Sequence, residues 1–327
     1  MAENNIYFLG EEDFLPAMEG ENRIWRDRYV MDGRFSTRDD IRLNYYKTEI
    51  SNPKAAIVIV HGYCEFWGKY HEYAWYLWQA GYKVYFLEQR CHGYSGGKLA
   101  ESDIIHIDSF KTYVEDLKEF MDKVVMPEAG ELPLYILGHS MGGAVSALFL
   151  ALYKDYFKGG VLTSPMFKIQ TGDMPPSKIK AAKLYMKLFG KQKSLSPGQN
   201  HFDPKPHFET SSTLSEARYN YLFNQRLLDN NYRTAGASLG WVMAAIDVYK
   251  LIMNNASNIK IPIALMQAGL DTLVEAAGFD EFMKLVPQAR LYRYENSKHE
   301  IFNAGDQERK KYFKDVLDTF EEFTNGV

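Results

Sequence analysis

Short apolar runs of strand length alternate with helix-patterned segments along most of the chain, and this alternation limits the folds open to it more than any other feature. Ala55–Val60 is a wholly apolar run rich in β-branched residues, the mark of a strand covered on both faces. An aromatic helix follows near Tyr70–Ala80, ended by Gly81, and a second buried strand runs from Lys83 to Leu87. The pattern repeats as helix Phe110–Val125, strand Leu134–Leu137, helix from Met141 to about Tyr153, and strand Gly160–Thr163. It breaks at Ser164-Pro165 and resumes with strand Pro262–Ala268, helix Glu275–Val286, strand Arg290–Tyr294 and a charged helix from Asp306. Each parallel strand needs a crossover to return the chain, so this order predicts an α/β fold with a mostly parallel, doubly wound sheet. Ahead of it, Tyr29–Ser36 and Ile41–Thr48 read as a hairpin turned at Arg38-Asp39-Asp40. Residues 1–28 read as an acidic, irregular N-terminal arm. The core is expected at 29–164 and 251–327, with 165–250 inserted between two strands as a helical cap above their carboxyl ends.

Composition narrows the function. Hydrophobic residues make up 46% and charged residues 24% of the 327, as in ordinary globular chains. The longest apolar runs, Ala55–Val60 and Ala147–Leu152, are far too short to span a membrane. The polar, acidic start has neither the basic nor the apolar segment of a secretory leader, so a cytoplasmic placement is expected. Two cysteines, Cys64 and Cys91, make no disulfide framework. HExxH, paired CxxC and EF-hand spacings are missing, so neither metal nor cofactor is expected. A net charge of −4 argues against nucleic-acid binding. That charge is uneven: residues 165–235 carry eleven Lys/Arg against five Asp/Glu.

The pattern G-x-S-x-G occurs three times, around Ser95, Ser140 and Ser238. As a nucleophile motif it requires a strand running straight into a sharp turn, with a helix beginning just after the serine. Ser238 follows the polar stretch Asn230-Asn-Tyr-Arg-Thr-Ala, and Ser95 lies in a Gly-rich loop eight residues beyond Leu87. Only Ser140 has an apolar strand before it and a small-residue apolar helix after it.

A serine hydroxyl attacks only when a base takes its proton, and in this architecture the order along the chain is Ser, acid, His. Of the histidines after Ser140, His201 and His207 fall in the Pro-containing insertion, whereas His299 follows the last strand in a loop at the sheet's carboxyl edge. Asp271 comes directly after strand Ile263–Ala268 and Gly269, placed to hold the imidazole in the required tautomer. Glu275, Asp280 and Glu295 are the fallback acids. The backbone N–H of Met141, at the helix N-terminus, and that of Tyr63, in the turn His61-Gly62-Tyr63, are the expected oxyanion donors. His61 itself reads as a loop brace.

These residues resemble a known family. His61-Gly-Tyr-Cys-Glu65-Phe-Trp-Gly-Lys-Tyr70 is similar to the HGxxEHxxRY segment of monoacylglycerol lipases and bacterial lysophospholipases of the α/β-hydrolase superfamily. Arg90-Cys-His92-Gly93-Tyr-Ser95 is similar to their D-x-RGHGxS loop, and Gly138-His-Ser-Met-Gly-Gly143 matches their GHSMGG turn. Thr213-Leu-Ser-Glu-Ala-Arg218-Tyr219, Trp241 and His299-Glu-Ile look most like the lysophospholipase L2 branch. The resemblance implies Ser140, Asp271 and His299 as the triad, with Tyr63 and Met141 as oxyanion donors. It also implies that Arg90, His92 and Ser95 brace a loop. The chain departs from the pattern at Glu88, where the family has Asp, at Cys91, where it has Gly, and at Phe66 and Lys69. A Cβ at Cys91 is expected to reshape that loop, because glycine supplies backbone conformations other residues resist.

Within the insertion, Ser177–Gly190 predicts a helix with Lys180, Lys183 and Lys187 on one face and apolar residues on the rest; residues 178–193 hold six lysines and no acid. Such a helix can close its apolar side over the site as a lid, leaving the lysines in water, or rest on an anionic membrane surface. Either way an apolar wall above Ser140 suits an acyl chain. The expected activity is hydrolysis of a small lipid ester, a lysophospholipid or a monoacylglycerol, with no nucleic-acid partner. The same three residues also fit a thioesterase, a peptidase or an esterase of small non-lipid acids, and an inactive relative would keep the fold as a ligand-binding module.

Overall fold

Two helices stand where the sequence reads as an irregular arm. In the computed structural model, which describes residues 6–170 and 175–326, α1 (Glu11–Glu19) and α2 (Glu21–Tyr29) meet at Gly20. Residues 1–5 of the expected arm and 171–174 of the expected cap lie outside the described residues. The helices escape a periodicity reading because they bury so little: Phe14 and Met18 from α1, Asn22 and Trp25 from α2. The elements that follow are β1 (Val30–Ser36), β2 (Arg42–Thr48), β3 (Ala55–Val60), α3 (His71–Gln79), β4 (Tyr82–Leu87), β5 (Ile104–Ile105) and α4 (Phe110–Phe120). A wider helical turn at Met121–Val125 leads into α5 (Met126–Ala129). Next come β6 (Leu134–His139), α6 (Met141–Leu152), β7 (Gly159–Thr163), α7 (Pro176–Phe189), α8 (Glu216–Leu228), β8 (Gly236–Ala237) and α9 (Leu239–Met253). The chain closes with β9 (Ile263–Ala268), α10 (Ala276–Leu285), β10 (Ala289–Tyr294) and α11 (Asp306–Asn325).

The main sheet has the order β1-β2-β4-β3-β6-β7-β9-β10. β2 runs antiparallel to both β1 and β4, and every other neighbouring pair is parallel. All six residues of β3 are buried because successive side chains point to opposite covered faces. Ala56, Val58 and Val60 pack with residues of α4, α6, α9 and α10. Ala55, Ile57 and Ile59 pack with α3, α11 and the N-terminal helices. Each such Val or Ile contributes about 1.5–3 kcal/mol by leaving water. A one-residue slip against β4, where Ile57 lies opposite Val84, would exchange the two sets.

Between β7 and β9 the chain forms α7, α8, β8 and α9. β8 pairs in parallel with β5, tying this segment to the loop that follows β4. α9 crosses the boundary expected at 250, and its Val248 and Ile252 pack in the same core as α4 and α6. α7 differs from the closed-lid expectation. Ile179, Ala182 and Met186 are half-buried, and Lys183 reaches Asp247 of α9 at 2.6 Å. Leu184, Tyr185, Leu188 and Phe189 are all exposed, at 49–68%. Gly190 ends the helix in a left-handed conformation, φ 63°.

The N-terminal segment fastens this insertion to the core. Glu11 accepts hydrogen bonds from Ser215 Oγ (2.6 Å) and Ala217 N (2.7 Å), closing the first turn of α8. Arg218, fully buried, donates to both carboxylate oxygens of Glu72 on α3 (2.6 and 2.8 Å) and lies over the Phe14 ring. The Leu9 carbonyl accepts from Arg309 of α11 at 2.6 Å, and the Leu9 amide donates to the Tyr76 hydroxyl at 2.7 Å.

Candidate active site

Ser140 stands alone between β6 and α6, with φ 51° and ψ −117°. A non-glycine residue held there costs of order 1–3 kcal/mol and persists only where its surroundings fix it. Those surroundings are hydrogen bonds from Ser140 N–H to Thr163 O (3.0 Å) and to Ser140 O from Met166 N (2.9 Å) and Ala144 N (3.1 Å). Two glycines make the sharp entry into α6 sterically feasible. A Cβ on Gly142 would come within 2.5 Å of the His61 carbonyl oxygen, and one on Gly138 within 2.8 Å of the Gly142 carbonyl oxygen.

The turn brings Ser140 Oγ to 2.7 Å from His299 Nε2, and His299 Nδ1 to 2.6 Å from Asp271 Oδ2. The other Asp271 oxygen accepts from the amides of Leu273 (2.8 Å) and Val274 (3.2 Å). Burial alone would raise the Asp271 pKa. The hydrogen bond and charge of His299, together with those two amides, outweigh it and hold the carboxyl below its usual value. Ser164 Oγ donates to the His299 carbonyl at 2.8 Å and so anchors the histidine's backbone to the end of β7. A hydroxyl against an imidazole whose far nitrogen meets a carboxylate is an arrangement in which serine loses its proton as it attacks.

The loop after β3 is fixed by two buried histidines. His61 Nδ1 donates to Gly62 O (2.7 Å) while Nε2 accepts from Gln89 N (2.9 Å), so the ring is neutral with its proton on Nδ1. Burial agrees, lowering its pKa to about 4. His92 repeats the arrangement: Nδ1 donates to Arg90 O (2.9 Å) and Nε2 accepts from Cys64 N (3.2 Å). The Cys64 amide is thereby occupied. Among the described residues, the Tyr63 and Met141 amides have no hydrogen-bond acceptor.

Behind this loop lies a charged cluster that the sequence reading missed. Glu65 accepts from Gly62 N (2.5 Å), Tyr70 OH (2.6 Å) and Lys69 Nζ (2.7 Å), and Lys69 also pairs with Glu300 at 2.7 Å. Glu300 follows His299 in the chain, so the cluster joins the oxyanion-side loop to the histidine loop. Burial opposes ionisation of all three. The Lys69 ammonium and the His139 ring nevertheless hold Glu65 well below the usual carboxylate range, Lys69 lowers Glu300, and Glu300 and Glu65 raise Lys69. His139, the residue before Ser140, places Nδ1 3.0 Å from Glu65 and its ring 5.2 Å from that of His299. The HGxxE spacing was the available signal, although nothing in it revealed Glu300.

The other sequence candidates are elsewhere. Ser95 Oγ donates to Glu88 O (2.5 Å) and accepts from Asn44 N (2.8 Å), and Arg90 pairs with Asp39 and Asp116, all bracing contacts. Ser238 is buried and caps α9 through Trp241 N. It does follow the two-residue strand β8, which its polar upstream sequence hides. His201 and His207 are exposed and pair with Asp103 and Asp203. Glu275 pairs with Lys168, and Asp280 and Glu295 are exposed, so none of the fallback acids partners His299. Cys64 and Cys91 are both free thiols. Cys91 holds φ 71°, the left-handed backbone that glycine adopts freely, and burial raises the Cys64 thiol to about 12.

Beside the site is a cavity of about 360 Å³ between the loop after β3 and the insertion. Tyr63, Cys64 and Glu300 line one side; Phe202, Tyr219, Leu222, Phe223 and Arg226 line the other. Its apolar wall thus comes from α8 and the segment before it, and among the described residues none of α7 lines it. Among the described residues no helix is long and apolar enough to cross a membrane.

A family model described as serine aminopeptidase, S33, matches residues 51–306. Lysophospholipase L2 of Escherichia coli (strain K12) is 28% identical over 309 residues, covering 91% of this chain and 88% of that protein. The monoacylglycerol lipase of Mycolicibacterium smegmatis is 26% identical over 262 residues, 80% of this chain and 86% of that protein. Among solved structures, a soluble variant of monoglyceride lipase from Saccharomyces cerevisiae superposes with a TM-score of 0.71 at 19% identity, covering 90% of this chain and 96% of that one. At that identity the likeness speaks for the fold.

Proposed function

The chain belongs to the serine aminopeptidase S33 family of α/β-hydrolases, and from that premise we propose that it hydrolyses carboxylic esters of single-chain lipids, lysophospholipids or monoacylglycerols, through Ser140, His299 and Asp271. The observation that carries this reading is the pair of short hydrogen bonds, 2.7 and 2.6 Å, linking the three side chains. In the cavity beside them, Tyr219, Leu222 and Phe223 favour a substrate with an apolar part.

In this mechanism His299 Nε2 takes the Ser140 proton as Oγ attacks the ester carbonyl. The Tyr63 and Met141 amides receive the negative charge that forms on the carbonyl oxygen. Asp271 stabilises the imidazolium, which then protonates the leaving alcohol. A water molecule deprotonated by His299 attacks the acyl-enzyme, releases the fatty acid and restores Ser140. Residues 165–250 act as a cap over this chemistry. The exposed Leu184, Tyr185, Leu188 and Phe189 of α7, among its lysines, favour the cap's resting on an anionic lipid surface over simple closure.

The test is product analysis on monoacylglycerols, lysophospholipids, short-chain esters and aminoacyl anilides, with wild type and Ser140→Ala. The expected outcome is release of long-chain fatty acid by wild type and a loss of about 10⁴-fold or more in the variant. Cleavage confined to the anilides, or wild-type ester hydrolysis by Ser140→Ala, would overturn the reading.

A further inference from the structure

Several cations with little exposure are paired with a carboxylate. Arg218 has Glu72, Arg90 has Asp116, and Lys69 has Glu65 and Glu300. Arg226 on α8 is different. Its Nε donates to the Tyr232 carbonyl (3.1 Å) and its Nη2 to the Thr234 carbonyl, and among the described residues it forms no ion pair. Burial lowers its pKa, and the groups that oppose this (Cys64, Tyr219 and Tyr63) all line the cavity beside the active site. A second guanidinium with no ion pair among the described residues, Arg233, converges on the same wall: Arg226 lies 4.8 Å and Arg233 5.5 Å from the centre of the Phe202 ring. Lys205 also lines the cavity. The carboxylates there are already engaged, Asp203 with His207 Nε2 (2.8 Å) and the Lys205 amide (3.0 Å), Glu300 with Lys69.

A largely buried guanidinium without a counter-charge is costly until an anion arrives, and among the described residues its Nη1 makes no hydrogen bond and is left for a phosphate oxygen. The cavity also reaches Tyr63, on the oxyanion side, and Glu300, next in the chain to His299, the group that hands a proton to the leaving alcohol. We propose that the Arg226 cavity binds the phosphate of that alcohol, so that the preferred substrate is a lysophospholipid and its leaving group a glycerophosphate. This assignment rests on the ester-hydrolase reading of Ser140 and names its head group.

The test has a binding arm and a kinetic arm. In the first, Ser140→Ala protein is titrated calorimetrically with sn-glycerol 3-phosphate, inorganic phosphate and glycerol. Glycerol 3-phosphate is expected to bind more tightly than inorganic phosphate, and glycerol not to bind. Arg226→Met should weaken glycerol 3-phosphate by about 10-fold or more, the loss of a charge-assisted hydrogen bond, with Arg226→Lys intermediate. Because Arg226 also holds two carbonyls, Lys205→Met on the cavity wall provides a second variant, expected to weaken binding and flatten its salt dependence. In the second arm, kcat/KM for a lysophospholipid relative to a monoacylglycerol of the same chain should fall about 10-fold in Arg226→Met, and hold in Lys260→Met, which removes a charge elsewhere.

Absence of glycerol 3-phosphate binding, binding unchanged in both Arg226→Met and Lys205→Met, or inorganic phosphate binding equally well would overturn the head-group assignment while leaving Ser140-dependent ester hydrolysis intact. Arg226-dependent binding in a protein that cleaves no ester would instead sink the hydrolase reading and keep the anion site.

Discussion

Glu88 holds its proton into a pH range where a carboxyl in water is ionised. It is buried at the end of β4, accepting from Tyr94 N (2.7 Å), Asn44 Nδ2 (3.2 Å) and Trp67 N (3.4 Å). Burial raises its pKa to about 7, against the lowering effect of those donors and of Lys98. The folded protein therefore holds a proton here that the unfolded chain, near 4.5, has released. The associated stability is complete below about pH 4.5 and is lost as pH rises through about 7, on the order of 3 kcal/mol in all. In urea unfolding at intervals from pH 5 to 8, wild type should lose stability relative to Glu88→Gln as pH rises, on top of the opposite slope that buried neutral histidines such as His61 give to both proteins. A parallel slope in the variant would remove Glu88 as the cause. Glu88 and Cys91 both depart from the resembling loop motif, and Cys91 carries the glycine-like φ its position demands. Proton affinity, in contrast, depends on which donors surround a side chain, and sequence does not list them.

At the scale of elements, the loop after β3 is held to the loop after β10 by Glu65, Lys69 and Glu300. Lys69→Met would leave the buried Glu65 and the half-buried Glu300 carboxylates facing each other without a cation. The expected cost is about 3–5 kcal/mol in urea unfolding, whereas Lys69→Arg, the residue the resembling family carries, should stay within about 1 kcal/mol of wild type. A small effect of Lys69→Met would mean the cluster is not a brace. α7 makes a separate prediction. Its outward Leu188 and Phe189 stand 68% and 64% exposed. Replacing both by Ser should reduce sedimentation with vesicles containing anionic lipid several-fold, each lost apolar side chain removing roughly 1.5–3 kcal/mol of burial. Unchanged sedimentation would leave α7 a cap element only.

At the scale of the whole molecule, the alternation of strand and helix was legible because both faces of the sheet are covered, which writes continuous apolar runs into β3, β4, β6 and β7. Ser140 was legible for the same reason, its strand and helix being apolar on either side. The N-terminal helices were not: α2 buries only Asn22 and Trp25, while Ile24 faces outward at 60% exposure. Arg226 and Arg218 look alike on one helix, and only the fold gives Glu72 to one and a cavity to the other. Glu11 at the start of α8 yields a further prediction. Glu11→Gln weakens the acceptor of Ala217 N–H and Ser215 Oγ, so amide exchange in the first turn of α8 should accelerate about 5–30-fold, the equivalent of 1–2 kcal/mol, with the sheet unaffected. Equal exchange in both proteins would show that α8 holds itself.

The same contacts set an order of events during synthesis. Leu9 and Glu11 leave the ribosome well ahead of their partners, which lie 67, 206 and 300 residues later, at Tyr76, Ala217 and Arg309. At about 5–20 residues per second the opening helices wait tens of seconds for the last of these. The segment around Leu9 is thus fully seated only after Arg309 has been made, and its docking reports that the chain between them has arrived.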